Sequence, residues 1–263
     1  MIGVFDSGVG GLTVIKEVIK NLPECQIIYF GDTARLPYGT KGEDFIKKYS
    51  AKITDWLLNK GAKIVIIACH TSSAWAGDFL KKNFKGVPIF EMITPGAREA
   101  ARATKNGKIG IIGTPGTIKS LSWQKKLLGI NSRLKIYAKP CPLFVPLVEE
   151  GWINKKITRD IAKEYLKHFK KKEIGSLILA CTHYPVLERV IKKEIGRKVK
   201  IINPAKSLAK ELKLFLENNP RIASGIKKGQ NHKFFFSDEP YNLNKISKLC
   251  LAQKIKPIIK NPF

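Results

Sequence analysis

Short apolar runs alternate with longer stretches in which apolar residues recur at helical spacing, and the alternation continues through most of the 263-residue chain. Eight runs read as strands: residues 2–5, 26–30, 63–68, 87–92, 108–113, 135–139, 176–180 and 198–202. Several, such as Ile64 to Ile67 and Leu177 to Leu179, are unbroken Ile, Val and Leu, the pattern of strands covered on both faces. Between them, residues 12–20, 44–59, 118–128 and 154–171 carry apolar side chains three and four apart, the stripe of an amphipathic helix. Strands separated by helices predict an α/β protein with mainly parallel sheets.

A repeat shows through the alternation. Residues 2–8 and 109–117 each read as a short strand, a turn of glycine and hydroxyl residues, then a helix. Ile2 and Ile109 are 107 residues apart, and Cys69 and Cys181 are 112 apart. Near-equal offsets predict two similar, pseudo-symmetric α/β domains, 1–92 with about 204–263 and 93–203, and a site in the cleft between them.

Composition narrows the class. A hydrophobic content of 44% and four tryptophans indicate a globular chain. No apolar run approaches the roughly 18 residues of a membrane span. The strand-like opening at Ile2 lacks the basic region of a signal peptide, so a cytoplasmic address and no membrane partner are expected. The five cysteines are odd in number and widely spaced, which fits reduced thiols better than a disulfide framework. The formal charge of +27 raises the question of a nucleic-acid partner. Only eight of the 48 basic residues are arginine, and lysine pairs recur along the whole chain without bunching on one element. That is a solvated lysine coat, from which nonspecific polyanion binding is the most to expect.

The candidate chemistry centres on two matching segments, IVIIACHTSSA with Cys69 and SLILACTHYPVL with Cys181. Each cysteine ends a buried strand and is followed at once by hydroxyl and imidazole side chains, and open α/β sheets place their chemistry at such strand ends. A thiol titrates close enough to neutrality to serve as acid or base. Two thiols reaching one substrate from opposite sides, one taking a proton while the other gives one, is the economical reading. His183 stands two residues after Cys181, placed to share its proton. Glu149 and Glu150 end the proline-rich segment 139–151, which reads as an extended, semi-rigid crossing, and one of them is a candidate relay acid. Asp6-Ser7-Gly8-Val9-Gly10-Gly11 reads either as an anion-binding turn with its amides exposed or as a glycine-rich connection with a capping side chain. The segment 31–40 offers Arg35 for a carboxylate or a structural acid, and a stiff Pro37-Tyr38-Gly39 turn with backbone donors and a phenol. A zinc site has poor support, because no C-x-x-C or H-x-x-x-H spacing exists. A Cys181–His183 nucleophile would leave Cys69 unexplained.

The ordered motifs DSGVGG (6–11), GDTARLPYG (31–39), ACHTSSA (68–74), TPGA (94–97), GTPGT (113–117), CPLFVPLVEEG (141–151) and ACTHYP (180–185) cover the chain almost end to end. On them the chain resembles the glutamate racemases of the cofactor-independent aspartate/glutamate racemase superfamily. The resemblance implies an isomerase in which two cysteines exchange the α-proton of glutamate without pyridoxal phosphate or metal. It assigns Cys69 to D-glutamate with Asp6 as helper, and Cys181 to L-glutamate with His183 and Glu149, so that the two directions are expected to respond differently to pH and mutation. Asp6, Ser7, Pro37, Tyr38, Gly39, Thr71, Thr114, Thr117 and Thr182 match substrate-pocket positions. The resemblance also implies a homodimer, D-glutamate for peptidoglycan synthesis and, for some members, an association with DNA gyrase.

Three positions depart from the family pattern. His70 stands where an asparagine amide usually helps hold the substrate, which leaves open a preference for aspartate or another acidic amino acid. Imidazole offers one hydrogen in place of an amide's two and is bulkier. Ala180 replaces a glycine, and Asn203 an acid.

Overall fold

The structure, a computed structural model, describes residues 1–263. Its ten strands are β1 (Ile2–Asp6), β2 (Ile27–Gly31), β3 (Ile64–Ile67), β4 (Ile89–Glu91), β5 (Lys108–Gly113), β6 (Lys135–Pro140), β7 (Ser176–Ala180), β8 (Lys200–Ile202), β9 (Lys233–Phe236) and β10 (Pro257–Ile259). They form two sheets, ordered β10-β9-β2-β1-β3-β4 and β6-β5-β7-β8. Every ladder between these strands is parallel. The α/β class with parallel sheets therefore matches the expectation from the sequence.

Continuous apolar sequence makes the central strands, because a parallel strand with helices on both faces exposes neither side. All residues of β1, β2, β3 and β7 are buried. On one face of the larger sheet Ile2, Val4, Ile27, Tyr29, Ile64 and Ile66 pack with the helices Leu12–Asn21 and Pro204–Asn218. On the other, Phe5, Ile28, Phe30, Val65 and Ile67 meet Ile46, Ile53, Trp56 and Leu57 of the helix Glu43–Asn59 and Ala76 and Leu80 of the helix His70–Asn83. Each such buried aliphatic side chain contributes about 1.5–3 kcal/mol by leaving water.

Register brings the chemistry to the strand ends. Asp6 closes β1 opposite Gly31, and Cys69 follows β3 by two residues. Gly113 pairs with Ala180, so Thr114 and Cys181 leave the smaller sheet side by side.

Three expectations need correction. The helix expected over 118–128 is two, Pro115–Lys119 and Ser122–Ile130, with Leu121 between them at φ 58°. Ser120 causes the break: its hydroxyl donates to the Thr117 carbonyl and accepts from the Ser122 amide, competing with the helix ladder. The crossing expected to be extended over 139–151 holds a helix, Phe144–Glu149. Pro146 lies in its first turn, where a missing N–H costs nothing. Finally, β9 and β10 join the edge of the larger sheet beside β2, where no strand was expected.

Candidate active site

A cavity of about 310 Å³ opens between the ends of the two sheets. From the larger sheet's side it is lined by Ser7, Pro37, Tyr38, Gly39, Cys69, His70 and Thr71. Thr114, Glu149, Cys181, Thr182 and His183 line it from the other side. No lysine or arginine is among the lining residues, despite the net charge of +27. An anionic ligand there must be met by hydroxyls, amides and imidazole rather than by a long basic side chain.

Cys69 is the N-cap of the helix His70–Asn83, and its sulfur accepts from the Ser72 amide at 3.4 Å. Its Sγ also lies 3.7 Å from Ser7 Oγ. A helix N-terminus favours a thiolate, but burial, followed by the nearby charge of Asp6, prevails and pushes the Cys69 thiol up to about 11. Asp6 itself is raised, chiefly by burial, against the lowering charge of His183 and the amides of Gly8 and Gly11.

The second thiol has different company. Cys181 Sγ is 3.9 Å from His183 Nδ1, and His183 Nε2 is 3.0 Å from Glu149 Oε1. Burial alone would lower the imidazole, but its hydrogen bonds to Cys181 and Glu149 and their charges more than offset this and raise it to about 10. Thiol, imidazole and carboxylate thus form one relay along the cavity wall.

His70 sits beside Cys69 in the lining, 3% exposed, with its ring stacked on Trp123 at 5.9 Å between centroids. Its Nδ1 is buried without a hydrogen-bond partner. Burial with no compensating anion lowers it to about 3, so the ring is neutral at physiological pH.

Two positions assigned to substrate binding stand behind the cavity. Asp6 does not line it: its carboxylate accepts from the Gly8 amide at 3.0 Å and from Thr182 Oγ1 at 3.4 Å. Its hydrogen bonds therefore reach the Cys181 side, and its influence on Cys69 is one of charge. Thr117 is fully buried beneath the lining, where its hydroxyl meets those of Thr71 at 3.0 Å and Thr114 at 2.9 Å. Thr71 and Thr114 are in turn 2.9 Å apart.

Two segments take one of the alternatives that the sequence left open, or refine it. Arg35 takes the structural option: it binds buried Asp32 at 2.7 Å, whose other oxygen accepts from the Tyr38 hydroxyl at 2.7 Å. The Tyr38 phenol is thereby committed to the protein, while the residue lines the cavity. In DSGVGG no glycine adopts positive φ. The need is for close approach: a Cβ at Gly10 would collide with Thr182 and His183, and one at Gly11 with Asp6 and Tyr29.

Leu36, Thr40, Pro115, Pro142, Val145 and Pro146 complete the lining and were not anticipated. Pro142, Val145, Pro146 and Glu149 follow the i, i+3, i+4, i+7 spacing of one helical face, a signal the three prolines masked. No group of three or more His, Cys, Asp or Glu side chains is arranged to hold a metal ion. No helix is long and apolar enough to cross a membrane.

A family model described as Asp/Glu/Hydantoin racemase matches residues 4–212. The chain is 41% identical over 254 residues to the glutamate racemase of Geobacter metallireducens, covering 97% of this chain and 93% of that one. It is 43% identical over 252 residues to the glutamate racemase of Aquifex pyrophilus, covering 96% and 94%. Among solved structures, glutamate racemase from Francisella tularensis in complex with D-glutamate superimposes with a TM-score of 0.88 at 37% identity, covering 97% of this chain and 95% of that one.

Proposed function

The chain belongs to the Asp/Glu/Hydantoin racemase family of isomerases, and from that premise we propose that it interconverts L- and D-glutamate by proton transfer between Cys69 and Cys181 across the α-carbon. The observation that carries the reading is one cavity lined by two thiols from different sheets, each with its own protonation partners. Full-length similarity to glutamate racemases, one of them solved with D-glutamate, supports the choice of substrate.

The groups around the two thiols suit the L-to-D direction. Cys69 holds its proton at neutral pH, whereas Cys181 stands beside an imidazole that is cationic below about 10 and stabilises a thiolate. The Cys181 thiolate takes the α-proton of L-glutamate and leaves a carbanion conjugated with the α-carboxylate. Cys69 then delivers its proton to the opposite face, giving D-glutamate, and the negative charge has passed from Cys181 to Cys69. D-glutamate starts the cycle from that second state and runs it in reverse. Glu149 holds the His183 ring in place and supports its positive charge. Asp6 acts on Cys69 through its charge, which helps hold the thiol in the protonated form that delivers the proton. The D-glutamate formed would feed peptidoglycan synthesis.

Purified protein is to be incubated with L-glutamate, L-aspartate and other acidic amino acids, with each enantiomer resolved by chiral chromatography. D-glutamate should accumulate to equal amounts with L-glutamate, and faster than any other product. Absence of D-glutamate would sink the proposal; faster turnover of aspartate would move the substrate to the shorter acid through His70.

A further inference from the structure

Thr71, Thr114 and Thr117 close a triangle of hydroxyls across the cleft, with Thr71 on the helix after Cys69, Thr114 directly after β5 and Thr117 in the helix Pro115–Lys119 that follows. Each hydroxyl has one proton and two lone pairs. Three protons serve three edges, so a fully bonded ring turns no donor toward the cavity. Thr71 and Thr114 line that cavity, and Thr117 does not. The Thr117 hydroxyl meets only the other two threonine oxygens, so its proton stays inside the triangle whatever enters the cleft. Thr114 Oγ1 also accepts from the Thr117 amide at 3.3 Å. Once that amide and the Thr117 hydroxyl fill its lone pairs, Thr114 has only its own proton left to offer.

We propose that Thr117 is a positioning residue: without touching substrate, its one hydroxyl proton goes to Thr114 and turns the Thr114 proton outward onto a carboxylate of the bound amino acid, which Thr71 then joins from the other side of the cleft. The inference rests on the glutamate reading and deepens it, naming what grips an anionic end in a cavity without lysine or arginine. In the empty site the triangle is self-satisfied. A carboxylate exchanges two of its edges for charge-assisted bonds, with Thr117 as the inner donor of a mutually polarised chain.

Wild type, Thr117→Val and Thr117→Ser are to be compared for thermal midpoint and for racemisation of both enantiomers. Valine keeps the shape and removes only the hydroxyl. Because the carboxylate is held alike before and during proton transfer, KM should rise about three- to tenfold for both enantiomers. The value of kcat should stay within about twofold, and serine should restore KM. Unchanged KM in Thr117→Val overturns the proposal. So does a loss confined to kcat and thermal midpoint, or a failure of serine to rescue. Should valine prevent folding, Thr117→Cys, a weaker donor of similar shape, reads the same split. A wild type that racemises no glutamate removes the glutamate reading and this one together, whereas an active wild type with an unresponsive valine variant removes this one alone.

Discussion

The strand ends at Cys69-His70 and Cys181-Thr182-His183 are built alike and behave in opposite ways. Both histidines are almost wholly buried, at 3% and 7% exposure, and burial alone pushes both toward neutrality. His70 has a tryptophan face and an unpartnered Nδ1, and falls to about 3. His183 has a thiol at 3.9 Å and a carboxylate at 3.0 Å, and rises to about 10. Partners rather than burial decide the charge. One thiol therefore sits beside a cation, and the other beside a neutral ring and a buried acid.

The strongest way to break the comparison is to remove either sulfur. Cys69→Ala and Cys181→Ala should each lower racemisation by on the order of 10²–10⁴-fold, and the double variant should be little worse, because the two act as a unit. A single-cysteine variant with near-normal turnover in a chiral assay would show that one thiol suffices. Next in size, His183→Gln should cost about 10²-fold in kcat and Glu149→Gln about tenfold, since the carboxylate acts only through the ring. The directional asymmetry expected from the sequence needs refinement here. Enantiomers have equal free energies, so kcat/KM must remain equal in both directions for every variant. Unequal helpers can therefore show only in kcat and KM separately. Measuring both constants for both enantiomers in His183→Gln and Asp6→Asn should reveal opposite imbalances.

A smaller effect concerns stability. The folded state holds the His70 ring at about 3 against 6.5 unfolded, so it binds fewer protons than the unfolded chain between those values. Its contribution is complete above pH 6.5 and is lost as pH falls toward 3. His183 is raised, so its contribution is complete below 6.5 and is lost as pH rises through about 10. Urea unfolding across pH should show both limbs, with His70→Gln flattening the acid one and His183→Gln the alkaline one. If each variant left its limb unchanged, the contrast between the two histidines would fail.

Much of this was legible in the chain for physical reasons. Unbroken runs such as Ile64 to Ile67 announce buried parallel strands, and a cysteine directly after such a run has to emerge at the strand end. The companions of Cys181 were legible because His183 follows it at once. What escaped depends on space rather than order. Asp6 was expected to serve Cys69, but its further hydrogen bond to Thr182 crosses between elements far apart in sequence and could not be read from it. The glycines of DSGVGG looked like turn formers, but Gly10 is small because Thr182 and His183 press against it. Prolines concealed the helix Phe144–Glu149, and with it the wall that carries Glu149. The strands β9 and β10 lie past the stretch in which strand-like and helix-like runs visibly alternate.

The central claim, two thiols on opposite faces of one carbon, is tested most directly by following isotope through the first turnovers. L-glutamate with protium at the α-carbon is given to the enzyme in heavy water, and both enantiomers are recovered early and analysed by mass. Separate bases predict D-glutamate that carries deuterium at the α-carbon while the remaining L-glutamate keeps its protium. Early D-glutamate that retains the original protium would mean that one group removes and returns the same proton, and would contradict the account.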